Sequence, residues 1–212
     1  MVYDSQYTQY QLKNRCLWRK LARDFYLNAA LRLLSGPTID FGCGVGELLR
    51  KLPKQSVGLD INPASVEYCL NLGLDTKLYD PKWDQYQLKN FLPGRYESLI
   101  ISHVLEHLEH PENVLRALFN ACRRLNIQRV VVIIPGKRGF SSDRTHQTYI
   151  DFSFFCENQL TRSGGYTIVR NRYFPVNIAF LGNVFRYHEL HIVYERDQEI
   201  NNNKVRCLKE RV

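Results

Sequence analysis

The run Thr38-Ile39-Asp40-Phe41-Gly42-Cys43-Gly44-Val45-Gly46-Glu47 constrains this 212-residue chain more than any other stretch. An apolar strand end carries an acid. Three glycines then alternate through a turn before the helix-forming run Glu47-Leu48-Leu49-Arg50. Glycine tolerates positive φ and has no Cβ, so such a turn brings backbone close to a ligand. Amides opening the following helix are expected to offer donors and a positive dipole end to an anionic group. A dinucleotide fingerprint needs its third glycine three positions after its second, and Glu47 stands there. The motif is acid-x-Gly-x-Gly-x-Gly.

Hydrophobic periodicity places the turn in an alternating chain. Leu17, Leu21, Phe25, Leu27, Leu31 and Leu34 recur at helical intervals, which predicts a helix over roughly 12–34, stopped by Ser35-Gly36-Pro37. Strands are expected at Thr38–Phe41, Ser56–Ile61, Thr76–Tyr79, Ser98–Ser102, Arg129–Ile134, Tyr166–Arg172 and Glu189–Glu195. Helices are expected at Glu47–Lys51, Ala64–Asn71, Pro111–Leu125 and Asp151–Leu160. Asn62 has the chemistry of an N-cap and Pro63 suits the first helical position. Alternation of this kind predicts a parallel α/β sheet with right-handed crossovers. The apolar segment Phe174–Phe185, interrupted by Asn177, Gly182 and Asn183, reads as a lid or hairpin.

The longest aliphatic run, Val130–Ile134, is five residues, against the ~20 that a membrane span requires. The polar N-terminus lacks the basic start and apolar stretch of a signal peptide, so a cytoplasmic location is expected. The six cysteines are scattered without C-x-x-C or zinc-site spacing, so reduced thiols and no metal are expected. The formal charge of +8 is divided, with +4 over residues 1–36 and +6 over residues 113–138. No aromatic-rich RNA motif accompanies it, and solvated helix faces compete with RNA binding as its explanation.

Asp60 follows Asp40 by 20 residues, at the end of the second strand, and Asp80 follows by another 20 at the end of the third. A carboxylate at the second position can accept from both ribose hydroxyls of an adenosine. The alternative for Asp60 is an N-cap or loop acid. The fourth-strand region, Tyr96-Glu97-Ser98-Leu99-Ile100-Ile101-Ser102-His103-Val104-Leu105-Glu106-His107-Leu108, completes a pattern that resembles the small class I S-adenosylmethionine-dependent methyltransferases. Glu97 departs from their usual Asp.

That resemblance implies a Rossmann-like, doubly wound α/β fold with a mostly parallel seven-stranded sheet and an antiparallel last strand. It implies S-adenosyl-L-methionine as cofactor and S-adenosyl-L-homocysteine as product. Gly42, Gly44 and Gly46 would contact the methionine end and Asp40 would orient its amino group. Asp60 and Ile61 would meet the ribose side and Asp80 the adenine, while Ser102 and His103 would sit beside the methyl donor. The segment Asp143-Arg144-Thr145-His146 resembles the family's Asp-x-Thr-His loop. His146 is therefore the candidate base, and the alternative is a loop or capping role; His103 is the second catalytic candidate. Glu106 and His107 read first as structural.

The expected organisation is a helical segment at 1–36 covering the site, the catalytic domain at 37–196, and a polar tail at 197–212. No Asn/Asp-Pro-Pro-aromatic motif follows strand four, so the device by which DNA and some RNA or protein amino-methyltransferases grip a planar amine is not expected. Without an appended nucleic-acid domain, a small-molecule, saccharide or lipid-precursor acceptor is expected. An RNA methyltransferase and a non-catalytic S-adenosylmethionine-binding activator subunit are the alternatives.

Overall fold

The computed structural model describes residues 17–197. Eight strands form one sheet: β1 (Thr38–Phe41), β2 (Val57–Asp60), β3 (Thr76–Leu78), β4 (Ser98–Ser102), β5 (Arg129–Pro135), β6 (Arg162–Ser163), β7 (Tyr166–Phe174) and β8 (Glu189–Arg196). The helices are α1 (Leu17–Leu31), α2 (Pro63–Asn71), α3 (Pro111–Arg124), α4 (Lys137–Phe140) and α5 (Phe152–Glu157). Strand order is β3-β2-β1-β4-β5-β8-β7-β6. The first five are parallel neighbours, and β8 pairs antiparallel with both β5 and β7. The order reverses between β1 and β4, so loops leaving their C-terminal ends diverge and open a crevice there.

Period-two alternation divides the core between two faces. Ile39, Phe41, Leu99, Ile101, Val130, Val132 and Ile134 join Leu115, Leu118 and Phe119 of α3 in one cluster. Ile100, Val131, Ile133 and Val193 join Ala30 of α1 with Leu33, Leu48 and Leu49 in the other. β5 is buried along nearly its whole length because both faces are covered. Among the described residues, no helix is long and apolar enough to cross a membrane.

The structure differs from the sequence expectation in four places. The sheet has eight strands, not seven, because two-residue β6 pairs back onto β7 across Gly164-Gly165, both at positive φ; two residues carry no readable alternation. The helix expected at Glu47–Lys51 is a turn ending in one 3₁₀ turn, Leu49–Lys51. Pro53 leaves too few residues to offset the cost of an α-helical nucleus. α5 is shorter than expected at its C-terminal end, where Gln159 at φ 53° leaves the helical region, while Asp151 caps its start, its side chain accepting from Phe154 N–H at 3.2 Å. In the apolar segment after β7, the 3₁₀ helix Ala179–Asn183 forms. It docks where a Cβ on Gly136 would lie 2.9 Å from Gly182 Cα. Asn62 caps α2 as expected, accepting from Ala64 N–H at 3.0 Å. The first part of the N-terminal helix expectation (12–16) and the tail beyond residue 197 lie outside the described residues.

Two fully buried tyrosines test the core. Tyr166 donates to the Ile127 carbonyl at 2.6 Å, whereas the Tyr194 hydroxyl has no partner. Tyr166→Phe should destabilise the protein by about 1–3 kcal/mol, and Tyr194→Phe should leave it unchanged or more stable by about 1 kcal/mol. Urea unfolding of the two variants checks this; equal losses would contradict the assigned hydrogen bonding.

Candidate active site

Asp40 sits in the middle of β1, opposite Gly58 of β2 and Ile100 of β4. Alternation turns it away from the Ile39–Phe41 face and onto the face of Ile100. Only 3% of its surface is exposed, and Oδ2 has no hydrogen-bond partner. Burial, reinforced by the nearby charge of Asp60, pushes its carboxyl up to about 7.

Gly42, Gly44 and Gly46 follow at φ of 79°, 53° and 71°. A Cβ on Gly42 would lie 2.3 Å from Val104 Cγ2, so that position requires glycine for space as well as conformation. Four of the turn's amides are engaged within the protein. Gly42 and Cys43 N–H both donate to the Leu59 carbonyl and Gly46 N–H to the Cys43 carbonyl. Gly44 N–H donates to Asp60 Oδ2 at 2.7 Å. With no α-helix beginning at Glu47, the turn contributes closeness rather than a row of donors. α1 lies over it: Arg23 pairs with Glu47, and Lys51 with Asp24 at 3.0 Å.

Asp60 ends β2. Its Oδ1 accepts from Asn62 N–H at 2.8 Å, so each oxygen holds one backbone donor and keeps a further acceptor position. Burial raises its pKa against these backbone hydrogen bonds. Ile61 next to it is exposed. Asp80 caps the 3₁₀ turn Pro81–Trp83, accepting from Lys82 N–H at 2.9 Å. Tyr86, at φ 64°, packs its ring 6.1 Å from that of Phe41. The sequence did not single it out, since neither spacing nor residue type marks it.

The opposite wall starts at Ser102, half-buried at the end of β4. His103 follows in the left-handed region at φ 54°, strain of the kind that collects at working sites. Its Nδ1 lies 3.3 Å from Glu106 Oε1 and its Nε2 3.0 Å from Glu189 Oε1. Burial alone would lower its pKa. Hydrogen bonds to Glu106 and Glu189 outweigh that and push it up to about 10. These contacts favour the imidazolium form of His103. Glu189 is correspondingly held down to about 2, burial being overcome by hydrogen bonds from His103 and His191. Glu189 went unnoticed in the sequence because it arrives from β8, far along the chain.

The loop after β5 is stitched to the loop after β4. Gln147 and Thr148 N–H donate to the Glu106 carbonyl at 2.7 and 3.1 Å. This seats the His146 ring 4.6 Å from that of His107 and stacks it 5.3 Å from that of Phe140. No metal-ligand spacing was visible in the sequence, yet one ligand atom each from Glu106, His107 and His146 lies within 4.8 Å of the others. The basic stretch 113–138 is partly committed within the fold: Arg116, Arg124 and Arg129 donate to the carbonyls of Asn158, Leu88 and Leu33.

Residues 10–134, more than half of the chain, match the family model described as the methyltransferase domain. No curated protein matches the sequence. Among solved structures, an S-adenosylmethionine-dependent methyltransferase from Archaeoglobus fulgidus aligns at a TM-score of 0.62 and 19% identity, covering 84% of this chain and 94% of that one. The complex between the Haloferax volcanii Trm112 methyltransferase activator and a methyltransferase aligns at 0.60 and 12%, covering 85% and 93%. Magnesium protoporphyrin IX methyltransferase from Synechocystis, with S-adenosylmethionine bound, aligns at 0.52 and 17%, covering 81% and 75%. At these identities the likeness establishes the fold.

The buried carboxyl makes stability depend on pH. A folded pKa of about 7, above the unfolded value, gives stability that is greatest in acid and lost as pH rises towards 7. Asp40→Asn removes that loss. Its stability relative to the unmodified protein should rise by about 2–3 kcal/mol between pH 5 and pH 7.5 in urea unfolding. Parallel pH profiles would contradict the raised pKa.

Proposed function

Because the chain belongs to the methyltransferase domain family, we propose that it moves a methyl group from S-adenosylmethionine to a hydroxyl or amine of a small-molecule, saccharide or lipid-precursor acceptor. The observation that carries the donor assignment is the buried, unpartnered Oδ2 of Asp40 beside a turn with glycine at three alternate positions. A buried carboxylate of this kind calls for a cation, and the donor's methionine end carries an ammonium. Asp60, with an acceptor position left on each oxygen, suits the ribose hydroxyls, and exposed Ile61 offers an apolar surface beside them. Asp80 remains the proposed adenine partner, and Gly42, Gly44 and Gly46 admit the methionine backbone. Ser102 and His103 border the space between donor and acceptor. The segment up to residue 36 is proposed to close over the donor, in keeping with the ion pairs from α1 to the turn.

S-adenosylmethionine supplies a sulfonium-bound methyl group that an in-line nucleophile displaces. The protein contributes mainly positioning. His103, as an imidazolium whose two N–H groups are held by Glu106 and Glu189, presents positive charge to the acceptor. His146 donates Nδ1–H to the Phe140 carbonyl at 2.8 Å. Its Nε2 is therefore left as a lone pair able to receive the acceptor's proton.

The acceptor side carries an apolar surface. Val176, Ile178, Phe180, Val184, Phe185 and Tyr187 are all exposed, and their segment is anchored beside α4 through Gly136 N–H donating to the His188 carbonyl at 2.7 Å. A concentration of exposed apolar side chains marks a binding surface. It favours an acceptor with a lipid-like portion over RNA.

Calorimetry with S-adenosylhomocysteine should show single-site binding that Asp60→Ala weakens by about 10–100-fold, the loss expected for charge-assisted hydrogen bonds. Labelled methyl transferred into a cell lysate should persist after RNase treatment and partition into organic-soluble material. Label lost on RNase treatment would replace this acceptor with RNA. Intact donor binding without any transfer would favour the activator-subunit reading.

A further inference from the structure

Glu106, His107 and His146 converge from two loops at the C-terminal edge of the sheet, and their surroundings prepare them for a metal ion. Glu106 is 1% exposed, and its Oε2 has no hydrogen-bond partner. A buried carboxylate oxygen without a donor is costly unless a positive charge answers it. Its other oxygen lies 3.9 Å from His146 Nε2 and 3.3 Å from His103 Nδ1.

Both neighbouring imidazoles are held in a ligand-ready tautomer. The Phe140 carbonyl can only accept, so the 2.8 Å contact puts the proton of His146 on Nδ1 and the lone pair on Nε2. Thr145 donates its hydroxyl hydrogen to Asp143 Oδ1 at 2.7 Å. At its 3.0 Å contact with His107 Nδ1 it must therefore accept, which leaves His107 Nε2 unprotonated as well. Carbonyl and Asp–Thr relays of this kind orient metal-bound histidines.

We propose that Glu106, His107 and His146 bind a divalent first-row transition ion such as zinc or manganese. Two imidazoles and one carboxylate suit such ions and leave coordination positions open. Ligand atoms within 4.8 Å of one another need to close by roughly 1 Å to reach the spacing around a tetrahedral ion with bonds of about 2.1 Å. The open positions would take water or a hydroxyl oxygen of the acceptor. The ion would then occupy His146 Nε2, revising the proton-acceptor role given above, and would itself favour ionisation of the bound hydroxyl.

The test uses tag-free protein stripped with a chelator and titrated with cobalt(II). Visible absorption and calorimetry report on the metal, and S-adenosylhomocysteine binding serves as the check on folding. One cobalt per chain is expected, displaced by zinc, with affinity reduced at least tenfold in Glu106→Gln and in His146→Ala. Absence of stoichiometric cobalt binding by protein that still binds S-adenosylhomocysteine would overturn the site, as would unchanged affinity in His146→Ala. Cobalt binding without S-adenosylhomocysteine binding would support the site and count against the donor assignment instead.

Discussion

A carboxylate placed inside the sheet, where its neighbours are isoleucine and glycine, governs the glycine-turn side of this protein. Asp40 is fixed by the register of β1 with β2 and β4, so it cannot swing out to water without breaking the ladder. Its unpartnered oxygen and elevated pKa are the cost of that position. The proposed cation would answer that cost at the mouth of the glycine turn. Asp60 ties the same turn to β2 through Gly44 N–H. The two acids are thereby held at one switch point, and the charge of Asp60 adds to the penalty on Asp40.

The acceptor half uses the opposite electrostatic device. His103, strained at positive φ, is charged because two carboxylates converge on it from different strands and loops. Glu106 is shared between that imidazolium and the His146–His107 pair. Loop stitching by Gln147 and Thr148 onto the Glu106 carbonyl holds these groups in one place. The apolar segment between β7 and β8 packs beside α4. An acidic pocket on one side and a cationic, partly apolar wall on the other are compatible with methyl transfer between dissimilar molecules.

Much of the geometry around the glycine turn was legible in the sequence because its determinants are local. Glycine spacing, acids at strand ends and period-two alternation all act within a few residues, and Asn62 and Pro63 cap α2 as their chemistry requires. Other features depended on distant partners. The turn's amides are engaged because Leu59 and Asp60 happen to face them, which spacing cannot reveal. β6 is too short for a pattern, and Glu189 reaches His103 only through the antiparallel β5–β8 pairing. The Glu106–His107–His146 cluster joins two loops separated by the whole of α3 and β5, so no ligand spacing appears along the chain.

The central claim is that Asp40 awaits a cation and that the donor's ammonium supplies it. Binding should then lower the carboxyl's pKa from about 7 and release a proton. The direct measurement is calorimetry of S-adenosylhomocysteine binding at pH 6.5 in buffers of different ionisation enthalpy. The account predicts release of roughly half to one proton per ligand, abolished in Asp40→Asn. Binding with no buffer dependence, or with the same proton release in Asp40→Asn, would contradict it.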